Sequence, residues 1–241
     1  MKIAVLSDIH GNLDAFREVL RDMDRFRVDQ VICLGDMIGY GPEPEETLRL
    51  IQERAIPCVK GNHEMAVVKP QLQEWFNPPA QESIQKTQAM LSAEALSFIC
   101  GLPSSRIIDR FRFVHGCPPN SPFIYLYQLS ESRLMEIFRK STEWIIFVGH
   151  THNLKLICFD GREIVHKPMR QGIVSLSDQS RYIVNAGSVG QPRDGSNAAK
   201  YVIWDTQARS LEVRFVAYDI AAVYRKILDA GLPKSHAERL W

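Results

Sequence analysis

The chain opens with a short apolar run between polar neighbours. Lys2 to Ser7, with Ile3 to Leu6 uninterrupted, reads as a buried strand. Leu13, Phe16, Val19, Leu20 and Met23 then recur at helical spacing. Gln30 to Leu34 reads as a second strand. Glu43 to Arg54 reads as a second helix, with Leu48 and Ile51 on its apolar face and prolines only in its first turn, where a missing N–H is tolerated. Pro57 to Lys60 completes the series as a third strand. This β-α-β-α-β order predicts parallel strands joined by crossover helices.

The pattern then changes. Pro70 to Pro79 reads as irregular. Helices are expected over Gln81 to Leu91 and Ala93 to Cys100, the second with Ser92 as N-cap and Gly101 and Pro103 as its stop. Strands dominate the second half: Ile107 to Val114, Trp144 to Val148, Lys155 to Phe159, Tyr182 to Val184, Tyr201 to Trp204 and Leu211 to Val216. Asp160-Gly161 has the composition of a hairpin turn. A helix over Glu131 to Lys140 interrupts the strands. Ile220, Val223, Tyr224, Ile227 and Leu228 form the apolar stripe of a closing helix. No repeat, low-complexity tract or linker divides the sequence, so 1–241 is expected to be one α/β domain with two sheets.

Composition narrows the function. The 241 residues are 45% hydrophobic and 24% charged, which excludes a disordered or collagen-like chain. With 29 Lys and Arg against 28 Asp and Glu, the net charge is +1. A broad basic face for nucleic acid is therefore not expected, and any recognition of anions must be local. No run approaches the roughly 18 apolar residues of a membrane span, and no signal peptide is visible. The five cysteines lack a CxxC spacing and read as free thiols, which points to the cytoplasm.

Five segments carry the candidate chemistry: Asp8-Ile9-His10-Gly11-Asn12, Gly35-Asp36, Gly61-Asn62-His63-Glu64, His115-Gly116 and Gly149-His150-Thr151-His152. Each follows an expected strand, and α/β sheets bind ligands outside the carboxyl ends of their strands. In an extended segment, the i, i+2 pairs Asp8/His10 and His150/His152 project to one face, within reach of one ion or of two neighbouring ions. The mixed set of imidazole, carboxylate and amide donors suits Mn, Fe, Zn or Ni better than a thiolate or all-oxygen site. Gly11, Gly35, Gly61, Gly116 and Gly149 allow sharp turns beneath the donors. Each segment alone is weak; the ordered set is specific.

That set, D-x-H, G-D, G-N-H-E, H-G and G-H-T-H, resembles the calcineurin-like metallophosphoesterase superfamily. Asn185 to Arg193 also resembles the N-x-G-S-x-x-x-P-R stretch of its bacterial and archaeal phosphodiesterase-like branch. The resemblance implies a four-layer α/β/β/α sandwich with two mixed β-sheets. It implies two divalent metal ions, manganese favoured: Asp8, His10 and His152 on the first, Asn62, His115 and His150 on the second, and Asp36 bridging both. It places His63 as the catalytic histidine, outside the ligand set.

The implied reaction is phosphoester hydrolysis by a hydroxide bridging two ions, with His63 protonating or stabilising the leaving alkoxide. Two divalent ions less the charges of Asp8 and Asp36 leave roughly +2 to attract phosphate. Arg193 either contacts phosphate or braces its loop against Asp194. Asn12 either meets substrate or supports the site. Tyr40, Phe123, Tyr125 and Tyr127 either stack on a nucleobase or pack beneath a loop. Lys60 and Cys117 lie beside ligand loops, the first read as ending a strand and the second as a nearby thiol. Protein phosphatases of the superfamily follow Gly-Asp with a stretch ending in Asp-Arg-Gly. Here Met37-Ile38-Gly39-Tyr40-Gly41 follows instead, with no arginine. That departure favours a phosphodiester or nucleotide anhydride over a phosphomonoester. Two further alternatives are a non-catalytic metal-binding scaffold, disfavoured because every ligand position is filled, and a nuclease, disfavoured by the +1 charge and the lack of a Lys/Arg run.

Overall fold

The computed structural model describes all 241 residues. In chain order the elements are β1 (Lys2–Leu6), α1 (Leu13–Phe26), β2 (Gln30–Cys33), α2 (Pro44–Glu53), α3 (Asn62–Val68), α4 (Pro78–Met90), α5 (Ala93–Gly101), β3 (Ser105–Ile108), β4 (Phe111–Val114), α6 (Glu131–Lys140), β5 (Ile145–Val148), β6 (Leu154–Phe159), β7 (Ile164–Pro168), β8 (Gly172–Ser175), β9 (Arg181–Ala186), β10 (Ala199–Asp205), β11 (Ser210–Val216), α7 (Ile220–Asp229) and α8 (Lys234–Glu238). Two 3-10 turns, Pro70–Trp75 and Leu126–Gln128, complete the chain.

The strands form two mixed sheets, ordered β2-β1-β10-β11-β8 and β3-β4-β5-β9-β6-β7. β1 runs parallel to β2, and β4, β5 and β9 are parallel to one another; the remaining pairings are antiparallel. Alternation explains the layering. In β1, Ile3 and Val5 face the second sheet and pack with Phe113, Phe147 and Val184. Ala4 and Leu6 face the other way, onto Phe16, Val19 and Leu48 of the helices. Beyond the second sheet, Val114, Ile146 and Val148 meet Leu134, Ile137 and Phe138 of α6. The result is the expected α/β/β/α sandwich. A fourth apolar cluster ties α7 to α8 through Val223, Ile227, Leu232, Ala237 and Leu240, while Trp241 stays exposed.

Several elements differ from the sequence expectation. The strand over 57–60 shrinks to one parallel bridge, Cys33 to Cys58, because the Lys60 N–H turns out of the sheet to the Pro103 carbonyl. Ile107 to Val114 is a hairpin rather than one strand: Asp109 takes a left-handed φ of 53° and folds β3 back on β4. Gly61-Asn62-His63-Glu64 is the start of α3 and not a loop. Pro70 to Pro79 holds a 3-10 turn and the first turn of α4, which begins at Pro78 with Asn77 as its N-cap. The edge strand β8 and the short α8 were not expected. No helix is long and apolar enough to cross a membrane, and all five cysteines are free thiols.

Candidate metal centre

The backbone that presents the donors is left-handed, not extended. Asp8, His10, Asp36, His150 and His152 have φ between 50° and 65°. This corrects the extended reading of the i, i+2 pairs: the side chains converge because each donor sits on a tight turn just past its strand. Such a conformation costs roughly 1–2 kcal/mol at a residue with a Cβ, least for Asp and Asn. Concentrated strain of this kind marks functional sites. Loop-to-loop hydrogen bonds hold it: the Asp8 N–H donates to the Gly35 carbonyl at 3.0 Å, His10 N–H to Asp36 at 2.9 Å and Gly190 N–H to Asp8 at 2.9 Å. The close approach also requires glycine at 61, where an added Cβ would lie 2.1 Å from Asp36 Oδ1.

Three triads of buried donors result: Asp8, His10 and His152; Asp36, His115 and His150; and His10, Asp36 and His63. In the first, His152 Nε2 lies 3.2 Å from Asp8 Oδ1 and 3.1 Å from His10 Nε2. In the second, His115 Nε2 lies 3.2 Å from Asp36 Oδ2, 3.2 Å from His150 Nδ1 and 3.0 Å from Asn62 Oδ1. Asp36 Oδ2 also sits 3.8 Å from His10 Nε2, so this one carboxylate reaches both groups. All eight sequence-derived donors and neighbours, Asp8, His10, Asp36, Asn62, His63, His115, His150 and His152, are therefore brought together. The HxH pair is divided, His150 with one group and His152 with the other.

The outward nitrogens settle the tautomers. His10 Nδ1 faces the Ile38 carbonyl at 3.0 Å, His115 Nδ1 faces Leu34 at 2.9 Å, His152 Nδ1 faces Gln191 at 2.6 Å and His150 Nε2 faces Phe123 at 3.1 Å. A carbonyl only accepts, so each of these nitrogens carries the proton. Such partners fix metal-binding imidazoles and raise their basicity. The inward nitrogens of neutral rings are then lone pairs pointing at one another near 3 Å, an arrangement that repels unless a cation or proton lies between them. Asp8 Oδ1 is buried without a hydrogen-bond partner and faces the same space. Donor chemistry and orphaned oxygen both fit divalent cations.

Residues 1–209 match the profile of the calcineurin-like phosphoesterase superfamily domain. The chain belongs to that superfamily. A relative from Methanocaldococcus jannaschii, described as uncharacterized, is 35% identical over 99% of this chain and 97% of its own length. The crystal structure of a metallophosphoesterase from Sphaerobacter thermophilus superposes with a TM-score of 0.86 at 35% identity, covering 100% of this chain and 98% of that one. A symmetrical bis(5'-nucleosyl)-tetraphosphatase from Vibrio cholerae is 26% identical over 76% of this chain and 64% of its own.

In this superfamily member Glu64 is the buried staple behind the donors. Its carboxylate accepts from the N–H groups of Asp36, Met37 and Gly61 at 2.8 Å each, and from Ile38 at 3.3 Å. Burial and the Asp36 charge push its carboxyl up to about 7, with the backbone donors pulling the other way. The sequence signal for this role was the G-x-x-E spacing before the apolar run 65–68, a helix-start pattern. His63 donates its backbone N–H to Asp36 Oδ1 at 3.0 Å. Its ring is buried between Tyr40, His10 and Phe76, with centroids 4.5, 4.8 and 5.1 Å away. Burial lowers its pKa to about 4 although Asp36 pulls it up, so the ring is neutral at pH 7.

The neighbours sort out by contact. Asn12 is spent on structure: it caps α1 through Ala15 N–H at 3.1 Å and donates to the Gly190 carbonyl at 2.9 Å. These bonds tie the start of α1 to the loop at Gly190. Lys60 donates to the Cys100 carbonyl at 3.0 Å. Cys117 is in none of the donor clusters. Asp194 pairs with buried Lys200 rather than with Arg193. Arg193 is exposed; its guanidinium donates to Gln191 Oε1 at 2.9 Å and lies over the Tyr40 ring at 6.0 Å. Tyr40 in turn packs on His236 of α8, centroids 4.5 Å apart, a neighbour that the sequence did not suggest. Tyr125 stacks on His150 at 3.7 Å, and Trp75 meets Phe123 at 5.6 Å.

Proposed function

We propose that this protein is a phosphoesterase that uses two divalent cations, manganese favoured, to hydrolyse phosphodiester or nucleotide phosphoanhydride bonds. The observation that carries the reading is the pair of buried donor groups joined by Asp36. Asp8, His10 and His152 would hold one cation, Asn62, His115 and His150 the other, with Asp36 common to both. Bound divalent cations supply Lewis acidity toward phosphoryl oxygens and lower the pKa of water.

The chain's own groups do the rest. His63, neutral at pH 7, offers an imidazole N–H to the leaving oxygen, and its backbone bond to Asp36 fixes where that ring stands. Arg193 has no carboxylate partner, so its fork of donors is free for non-bridging phosphoryl oxygens. Tyr40 covers His10 and His63 and limits water on that side. A diester or anhydride fits because no arginine follows Asp36 to grip a monoester dianion.

The test is initial rates on an aryl phosphodiester and the matching monoester with added Mn²⁺, with Asp36→Asn as the blank. Diester preference that vanishes in the variant supports the reading. Monoester preference assigns the missing arginine's role to Arg193 and makes the protein a phosphatase. No rate on either substrate, with metal bound, favours the scaffold alternative.

A further inference from the structure

Two aromatic pairs flank the donor cluster on one side, and their outer members are unusually bare. Tyr125 lies flat against His150, with ring centroids 3.7 Å apart and planes 12° from parallel. Tyr127 continues the same stack outward, 4.9 Å from Tyr125 and tilted by 21°, yet is 69% exposed. Trp75 leans on Phe123 at 5.6 Å and is 74% exposed. Leaving two large aromatic faces in water gives up burial that most such residues obtain. The segment is nevertheless held in place, because the Phe123 carbonyl accepts the His150 Nε2–H at 3.1 Å. The platform is thus tied through one histidine to the cluster itself.

We infer that Trp75, Tyr127 and the rings behind them form a stacking subsite for the nucleobase of a nucleotide substrate, next to the phosphate position at the donor cluster; this rests on the phosphoesterase reading above. A phosphate between the donors and a planar base on the platform are the two ends of one mononucleotide unit. Stacking on aromatic faces tolerates every base, since each has a π-face. The outer members of the platform are an indole and a phenol at the surface, whose ring faces carry the contact. The subsite therefore selects for a base and not among bases. With the diester or anhydride reading of the donor cluster, the substrate class becomes diesters and anhydrides of nucleosides.

The experiment compares the binding of 5'-AMP and ribose 5-phosphate to the Mn²⁺-loaded protein by calorimetry, then repeats it with Trp75→Ala/Tyr127→Ala. Both ligands carry the same phosphate; they differ in the base. The expected result is that 5'-AMP binds about tenfold or more tightly than ribose 5-phosphate, and that this ratio falls to about twofold or less in the double variant. Both side chains are at the surface, so the variant is expected to fold. Equal affinities in the native protein, or a ratio that survives the double substitution, overturn the subsite. Failure of both ligands to bind overturns the subsite, while the phosphate centre is judged by the aryl diester and monoester rates above, which separates the two conclusions.

Discussion

His115 Nε2 faces Asp36 Oδ2 at 3.2 Å with both groups buried, while His115 Nδ1 is committed to the Leu34 carbonyl. Burial alone would lower the imidazole's pKa. Asp36 more than reverses this, with Asp8 and Glu64 adding to the pull, and His115 is pushed up to about 9; His150, in contact with it, is itself lowered to about 3 by burial and by the His115 charge. Without metal, then, a proton on Nε2 occupies the space between His115 and Asp36.

That proton must leave when a cation arrives. At pH 7.5 the uptake of a divalent ion is expected to release about one proton from His115. The folded value lies above the unfolded one near 6.5, so the contribution to stability is full below that pH and is lost as pH rises through about 9. The metal-free protein should accordingly weaken across this window. Calorimetric Mn²⁺ titrations in two buffers of different ionisation enthalpy read the release directly; the same apparent enthalpy in both would sink the idea.

The proposed assignment places His63 outside the metal ligands. It joins His10 and Asp36 in space, but its neutral ring is wedged among Tyr40, His10 and Phe76. Replacing His63 with Ala is expected to lower kcat by about 10²–10⁴, the range for loss of a general acid or base. Metal content, measured by atomic emission on the purified protein, should match that of the native chain. Loss of one equivalent of metal would instead make His63 a ligand.

The parts of this site that were legible in the sequence are those whose chemistry is local. D-x-H, G-D, N-H and H-x-H place polar donors immediately after apolar runs, and no core-building reason puts them there. The left-handed φ of Asp8, His10 and Asp36 was not legible, because those turns are stabilised by other loops and not by their own residues. β8 escaped notice for a related reason. Its pairing with β11 is real, but Ile173 is exposed and the segment has no alternating apolar face. The bridge at Cys58 shows the opposite error: the tetrapeptide Pro57 to Lys60 reads as a strand, and its backbone leaves the sheet after one bridge. His236 and Trp75 reach the site from distant segments, a relation that periodicity cannot express.

Glu64 offers a test of how far the loops depend on one buried carboxylate. Glu64→Gln keeps the shape but turns an amide NH₂ toward one pair of backbone N–H donors, Asp36 and Gly61 on one oxygen or Met37 and Ile38 on the other. Above pH about 7, where the carboxyl is ionised, hydrogen bonds to a charged acceptor contribute about 1.5–3 kcal/mol each, so a loss of at least about 2 kcal/mol is expected there. Because the loop that carries Asp36 and the start of α3 that carries Asn62 hang on those bonds, metal affinity should fall about 10–100-fold. Chemical denaturation and metal titration check the two effects. Unchanged stability would mean that the four donors find other acceptors.

Far from the donors, Asp22 holds α1 against the first sheet. It accepts the Tyr201 hydroxyl at 2.8 Å and two Arg214 donors at 3.0 Å each, and Arg214 lies over the Phe26 ring at 4.2 Å. Burial raises the Asp22 pKa, but the bonds from Arg214 and Tyr201 win and lower it below the usual value. The sign follows: this contribution is present above the unfolded carboxylate pKa and is lost as pH falls through the depressed folded value. Asp22→Ala removes an anion that a half-buried cation and a buried phenol both use. Breaking such a pair costs about 3–5 kcal/mol when no other partner exists. Glu212, 3.2 Å from Arg214 Nη1, supplies one, so a loss of about 2–3 kcal/mol is expected. Asp22→Asn retains an acceptor for Tyr201 and should lose less, with a weaker acid dependence. Urea midpoints of the three proteins between pH 3 and 7 decide it. If Asp22→Asn keeps the native slope with pH, the network is not what makes the fold acid-sensitive, and carboxylates elsewhere carry that dependence.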